Sequence, residues 1–184
     1  MKKKILVIRS VSFQQLDKNL AAIETQFPIS EGEYEIHLLT HAHGIPHAQS
    51  YTAVSHIIDY GSRGNFSFFH LPRCLKRSKS TLPTGYEAIV VPVTNMSGAG
   101  FLNVLLMSLR IPAASIYICN LVSEMWKVPR RQILFRAFKS LFYSLLAAAS
   151  VLPLLIFFIV IFPFFLLFRG TGKKKGTPKR APLS

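Results

Sequence analysis

The residues of this chain best suited to chemistry are those that can hold an anion. The stretch Asn95-Met-Ser-Gly-Ala-Gly-Phe-Leu-Asn103 follows an apolar run at 86–93 and leads into a helix-like pattern at 101–110. A turn between a buried strand and a helix is where backbone N–H groups and the helix dipole favour a phosphate, and where ligands sit in open α/β sheets. Ser97, Gly98 and Gly100 supply a tight turn and close approach, while Asn95 and Asn103 can hydrogen-bond a sugar or phosphate. The same residues also fit a plain turn with Ser97 as helix N-cap, because a Gly-x-Gly pair alone is weak evidence. Arg9 ends another apolar run, with Ser10 and Ser12 beyond it. A guanidinium there can pair with a phosphate through two parallel hydrogen bonds; its plainer role is to cap a strand at the surface.

His41, His43 and His47 form an H-x-H-x3-H pattern that can turn two imidazoles to one side. A metal site of this sort needs deprotonated ligands held by further partners, and no Asp, Glu or Cys lies between Ile36 and Tyr51. With Gly44 and Pro46 inside it the stretch reads as a solvated loop, and neither a metal nor a cofactor is expected. Acid–base chemistry is thinly provided for. The chain has eight carboxylates, with Glu31, Glu33 and Glu35 in one surface-like cluster, and no acid and base pair stands out. Cys74 and Cys119 are too few and too far apart for a disulfide framework or a zinc site, and read as inert thiols of a reducing compartment.

The elements that must position these groups follow from periodicity. Residues 4–9, KILVIR, form a short continuous apolar run, the mark of a strand covered on both faces. Leu16, Leu20, Ile23 and Phe27 then recur at helical spacing, and Pro28 stops the helix. Further strands are expected at 35–40, 56–60, 86–93 and 115–120, with helical turns at 49–55 and 101–110. The basic stretch 68–80 suits a helix with Arg73, Lys76, Arg77 and Lys79 facing outward, either as a solvated face or as a patch for anionic lipid. Strands alternating with helices at this spacing predict a Rossmann-like, doubly wound parallel α/β sheet with right-handed crossovers, a single lobe over residues 1–125.

The remainder has another character. Of 22 Lys and Arg in 184 residues, 11 lie beyond Trp126, where none of the eight Asp and Glu is found. The net charge of +14 does not point to nucleic acid, because the excess brackets 29 uncharged residues, 140–168. Such a run belongs in lipid, and its flanks are membrane flanks. Residues 126–139 read as a basic interfacial linker with Trp126 as anchor, 140–168 as a membrane segment and 169–184 as a disordered basic tail. As one helix the segment would be about 43 Å long against roughly 30 Å of hydrocarbon. That leaves a tilted or kinked single span, or a re-entrant hairpin turning at Pro153. The N-terminus lacks the apolar stretch of a secretory signal, so the expected location is the cell membrane with the folded part facing the cytoplasm.

KILVIR, the helix ending in Phe27-Pro28, the strand Glu35-Ile-His-Leu-Leu-Thr40, the 54–60 segment and Tyr86-Glu-Ala-Ile-Val-Val91 together resemble, in order and spacing, the N-terminal half of heptosyltransferase-like glycosyltransferases. These are two-lobed enzymes of the family 9 type that build lipopolysaccharide cores. The resemblance covers about residues 4–120 and implies a Rossmann-like lobe of the acceptor-binding kind, without the second lobe that holds the nucleotide sugar. Where that family has a Gly-Asp pair after the first strand, with the Asp as base, this chain reads Arg9-Ser-Val-Ser-Phe-Gln-Gln15. An amide cannot take up a proton as a carboxylate does, and Asp17, two residues beyond Gln15, would point elsewhere on a helix. The expectation is therefore a membrane-anchored half-glycosyltransferase-like protein in envelope or lipid-linked glycan assembly, inactive alone. Membrane lipid, a lipid-linked glycan acceptor and a separate nucleotide-sugar-binding chain are its expected partners. The alternative is a catalytically silent membrane adaptor that recruits or regulates an envelope-glycan enzyme.

Overall fold

A computed structural model describes residues 2–29, 32–98 and 100–170. In chain order it contains β1 (Lys3–Ile8), α1 (Phe13–Gln26), β2 (Tyr34–Thr40), a 3-10 turn (Ala42–Gly44), α2 (Ile45–Ala48), β3 (Val54–Asp59), α3 (Leu71–Ser78) and β4 (Tyr86–Pro92). These are followed by α4 (Leu102–Ser108), β5 (Ala113–Cys119), β6 (Met125–Lys127), α5 (Arg130–Ile156), a π-helical turn (Phe157–Ile161) and α6 (Phe162–Gly170). The strands form one six-stranded sheet in the order β3-β2-β1-β4-β5-β6. The first five are parallel, and only β6 runs antiparallel to its neighbour β5.

β1 shows why a continuous apolar run makes a central strand. Ile5, Leu6, Val7 and Ile8 are all 0 % exposed, and successive side chains point to opposite faces. Ile5 and Val7 join a core with Leu16, Leu20 and Ile23 of α1, whereas Leu6 and Ile8 join a core with Leu71 of α3 and Val104 and Leu105 of α4. Each such side chain removed from water contributes about 1.5–3 kcal/mol. The α1 helix starts at Ser12, whose hydroxyl accepts from the Gln15 N–H at 3.4 Å, and it ends at Phe27, before Pro28.

Three departures from the sequence expectations have physical causes. The histidine stretch is not an open loop: it contains the 3-10 turn and α2, with Pro46 near the helix start, where its missing N–H costs nothing. The sheet is not wholly parallel, because β5 returns through a short loop to the three-residue edge strand β6. Asn120 builds that loop: its side-chain carbonyl accepts from the N–H groups of Val122 and Glu124, and its amide donates to the Glu124 carboxylate. Trp126, expected at a lipid interface, instead sits in β6 and packs partly against the core. The compact unit correspondingly extends to Phe138 and takes in residues read from the sequence as linker, with Val128 2 % and Ile133 0 % exposed.

The second unit begins at Lys139. Among the described residues, the helical stretch Arg130–Leu166 is 37 residues long and contains an 18-residue window, of mean hydropathy 2.9, apolar enough to cross a membrane. It does not turn back at Pro153, which lies inside α5. The backbone instead widens further on, where the Phe162 N–H donates to the carbonyl of Phe157, five residues back. Pro163 follows at once; a proline ring presses on the carbonyl four residues before it, and a wider turn relieves that contact. Ser144 and Ser150 donate their hydroxyls to the carbonyls of Ser140 and Leu146, so neither hydroxyl is left bare on the helix. The basic tail expected at 169–184 lies outside the described residues from 171 onward.

Candidate functional site

A cleft of about 320 Å³ opens at the carboxyl edge of the sheet, beyond the ends of β1, β2 and β4. It sits where the strand order reverses: the connection from β1 leads to β2 on one side, while β4 lies on the other. Chain segments leaving neighbouring strands for opposite faces leave a crevice there. Arg9, Ser10 and Val11 line it after β1, His41 after β2, Asn65 and Phe66 after β3, and Gly100, Phe101, Asn103 and Val104 after β4.

Arg9 is the charged group of this cleft. Its Nε donates to Thr40 Oγ1 at 2.7 Å, its Nη2 lies 3.2 Å from His43 Nε2, and its guanidinium stacks over the Phe13 ring at 4.6 Å. Arginine can only donate, so His43 Nε2 is the acceptor and the ring carries its proton on Nδ1. Burial lowers the Arg9 pKa from its usual value, yet an arginine stays charged. Among the described residues no carboxylate approaches it to ion-pair distance. Gly44 permits this packing, since a Cβ there would lie 2.6 Å from Thr40 Oγ1 and 3.3 Å from Arg9 Cζ.

His41 stands beside it. Its Nδ1 is 2.6 Å from the Ser62 carbonyl, which can only accept, so that nitrogen carries the proton. Burial lowers the His41 pKa below the ordinary 6.5; the Ser62 hydrogen bond opposes the shift, and the charge of Arg9 adds to it. At neutral pH the ring is thus uncharged, with Nε2 bearing a lone pair. It stacks on Phe66 at 4.5 Å and on His43 at 5.6 Å. The His47 ring lies against Phe13 instead. Among the described residues no three His, Cys, Asp or Glu side chains are grouped to hold a metal. Ser10 closes the cleft floor, donating its hydroxyl to the Pro92 carbonyl at 2.5 Å across the β1–β4 seam.

The six residues singled out from the sequence divide in two. Arg9, Gly100 and Asn103 line the cleft. Asn95, Ser97 and Gly98 shape the turn behind it: the Asn95 side-chain carbonyl accepts from the Gly98 N–H at 2.6 Å, and the Ser97 carbonyl accepts from Arg136 at 3.4 Å. The N-cap of α4 is Phe101, without a side-chain cap, so Ser97 does not cap that helix. Gly98 and Gly100 have φ of +74° and +85°, the left-handed backbone that glycine alone adopts freely. Gln15 is outside the cleft; its amide donates to Asn19 at 2.9 Å and to the Leu121 carbonyl at 3.0 Å. Asp17 is outside it too, accepting a short hydrogen bond from the Tyr51 hydroxyl. Among the described residues, no Asp or Glu lines the cleft.

Sequence alone offers no pointer to Thr40, whereas the stretch with His41, His43 and His47 reads either as a metal-binding pattern or as a solvated loop making polar contacts at the same sheet edge as Arg9. Strand pairing places Thr40: the adjacent parallel strands match Ile8 with Leu39, which sets Arg9 beside Thr40. Asn65 and Phe66 arrive on the loop between β3 and α3, whose path no periodicity reveals.

Fold and cleft together define an α/β protein with a mostly parallel six-stranded sheet, a polar crevice at its carboxyl edge and one long apolar C-terminal helix. Comparison with family models, with curated proteins and with solved structures gives no match.

Proposed function

We propose that this chain is a membrane-anchored, Rossmann-like domain that binds a phosphoryl-bearing ligand in the cleft around Arg9. The carrying observation is Arg9 itself: a half-buried guanidinium, braced by Thr40, His43 and Phe13, with no carboxylate among the described residues to neutralise it and an open cleft in front of it. Placing a charge there costs solvation, and a bound phosphate would offset that cost through charge-assisted hydrogen bonds. Asn65 and Asn103 on the rim add neutral polar groups suited to a sugar or phosphate oxygen. The apolar helix would hold the domain at a bilayer, where phosphorylated lipids reside. The ligand most consistent with both features is a lipid-linked glycan acceptor, as in a half-glycosyltransferase whose donor lobe is supplied by another chain.

A second reading has its own support. Among the described residues the cleft holds no carboxylate, and Gln15 is committed to a structural network, so no carboxylate base for sugar transfer stands on this side. The domain would then present a phosphorylated lipid to an envelope-glycan enzyme without reacting it. Binding of polyprenyl phosphate and of the matching free alcohol to the full chain in mild detergent tests the shared core of both readings. The phosphate should bind and the alcohol should not, and Arg9→Gln should reduce the affinity at least tenfold. Equal affinity for phosphate and alcohol would sink the proposal. Stoichiometric co-purification of a nucleotide-sugar-binding chain separates the half-enzyme from the adaptor.

A further inference from the structure

From Tyr60 to Tyr86 the chain carries Arg63, Arg73, Lys76, Arg77 and Lys79 and not one Asp or Glu. The fold gathers most of these on α3. Leu71, Cys74 and Leu75 turn that helix inward to the core, and Arg73, Lys76 and Arg77, at helical spacing on the opposite side, are exposed. Lys79 follows at the helix end with a left-handed φ of +56°, exposed as well. None of these cations has an ion-pair partner among the described residues. Arg63 and Arg77 border one open hollow of about 510 Å³, room for a lipid headgroup phosphate between them. That hollow also holds the Asp59 carboxylate, which accepts from the Gly61 N–H at 2.8 Å and keeps its charge, so the two guanidiniums outnumber it by one.

Beside this face stands Phe69, 79 % exposed. It is held out by its neighbour: the Arg110 guanidinium stacks over the Phe68 ring at 5.1 Å and donates to the Phe68 carbonyl at 3.0 Å, and Phe68 meets Phe69 edge to face. A phenylalanine kept in water at the start of an all-basic helix is the combination that an anionic bilayer recognises: the ring enters the acyl boundary while the cations meet phosphates. Nucleic acid would meet the charge but gives an exposed phenylalanine less reason to stand clear of the domain.

We propose that α3 and Phe69 form a docking face for the anionic lipid surface, separate from the cleft at Arg9. The face lies on a chain with its own apolar helix. It therefore acts as a second contact, and tethering makes even a weak contact count through a high effective concentration. It rests on the membrane anchorage above but not on any ligand of the cleft.

The test uses the full chain carrying Phe69→Trp and Trp126→Phe, reconstituted in nanodiscs of phosphatidylcholine or of an equimolar mixture with phosphatidylglycerol, with brominated acyl chains as quencher. Quenching of the position-69 emission is expected in the anionic discs and not in the neutral ones, and it should fade as salt is raised. Each neutralising change among Arg73→Gln, Lys76→Gln, Arg77→Gln and Lys79→Gln should lower the docked-to-undocked ratio about fivefold. Equal quenching in both discs, none in the anionic discs, or no response to the four changes together would overturn the proposal. So would release of the face from anionic discs by duplex DNA at sub-stoichiometric phosphate. Retention of the chain on neutral discs is scored separately by co-elution, so a failed anchor and a failed docking face give different results.

Discussion

Replacing Gly44 with alanine tests how the Arg9 site is built. Gly44 has φ −91° and ψ −12°, a conformation open to any residue, so alanine meets no backbone penalty there. By itself the change would stabilise the protein by about 0.4–1 kcal/mol through the unfolded chain. The added Cβ, however, would lie 2.6 Å from Thr40 Oγ1, 3.1 Å from Phe13 Cζ and 3.3 Å from Arg9 Cζ. Thr40 is 0 % exposed and has no free space to retreat into without giving up its 2.7 Å bond to Arg9. A hydrogen bond to a charged group contributes about 1.5–3 kcal/mol. The net expectation is a destabilisation of about 1–2 kcal/mol, together with weaker binding of a phosphorylated lipid. Trp126, the single tryptophan, packs partly on the domain core and reports unfolding by its emission in a urea titration. In a Thr40→Ala background the shortest clash is gone and only the side-chain ends of Phe13 and Arg9 must give way, so Gly44→Ala should then cost far less. The two changes should therefore couple by at least 1 kcal/mol; effects additive to within about 0.5 kcal/mol would refute the account.

Two other positions give sharp expectations. Gly61 combines φ +73° with a Cβ that would fall 2.2 Å from the backbone carbonyl of Cys74, so Gly61→Ala should cost about 2–4 kcal/mol and loosen α3. Gly85, with φ +78° and nothing within 4 Å, should cost only the conformational part, about 1–2 kcal/mol, and equal losses in urea midpoints would contradict the clash. The third expectation concerns acid. His37 is 5 % exposed, between the Tyr86 hydroxyl at 3.2 Å and Glu35 at 3.3 Å; burial lowers its pKa, Glu35 opposes this, and His56 and Lys4 reinforce it. With the folded pKa below the ordinary 6.5, the unfolded chain binds more protons between the two values. Stability therefore rises with pH through that window and falls as pH drops below about 6.5. His37→Gln should flatten this slope, and an unchanged slope in the melting curves would assign the acid sensitivity elsewhere.

How legible the molecule was depended on how local each signal is. KILVIR and the 86–93 run announce buried strands because a strand covered on both faces must be apolar throughout, and both are adjacent central strands. The basic outward face of α3 was equally plain, since helical spacing alone separates Leu71 and Leu75 from Arg73, Lys76 and Arg77. β6 was not legible: three residues hold no period, and its pairing depends on Asn120 and Glu124 folding a loop back onto β5. At the cleft, Arg9 could be placed because it ends a strand. The roles of Asn95 and Gly98 could not, because whether an amide faces a ligand or its own turn is decided by one hydrogen bond within four residues. Pro153 was read as a possible turning point, but a proline can be absorbed within a helix where neighbouring turns adjust, as the wide turn before Pro163 does here.

The burial of β1 on both faces has a further consequence. A strand with one apolar face is held in register by its own pattern, since a slip of one residue turns that face to water. In β1 a slip would only exchange Ile5 and Val7 for Leu6 and Ile8, and both cores accept aliphatic side chains. What forbids the slip is polarity at the two ends: Lys3 pairs with Tyr34 at the outset, and Arg9 would enter a core position if the strand advanced. Arg9 is thus a register pin for the whole sheet as well as the charge of the cleft. One side chain therefore serves two ends of folding chemistry, charging the cleft and penalising a shifted strand, and Arg9→Leu would remove that penalty.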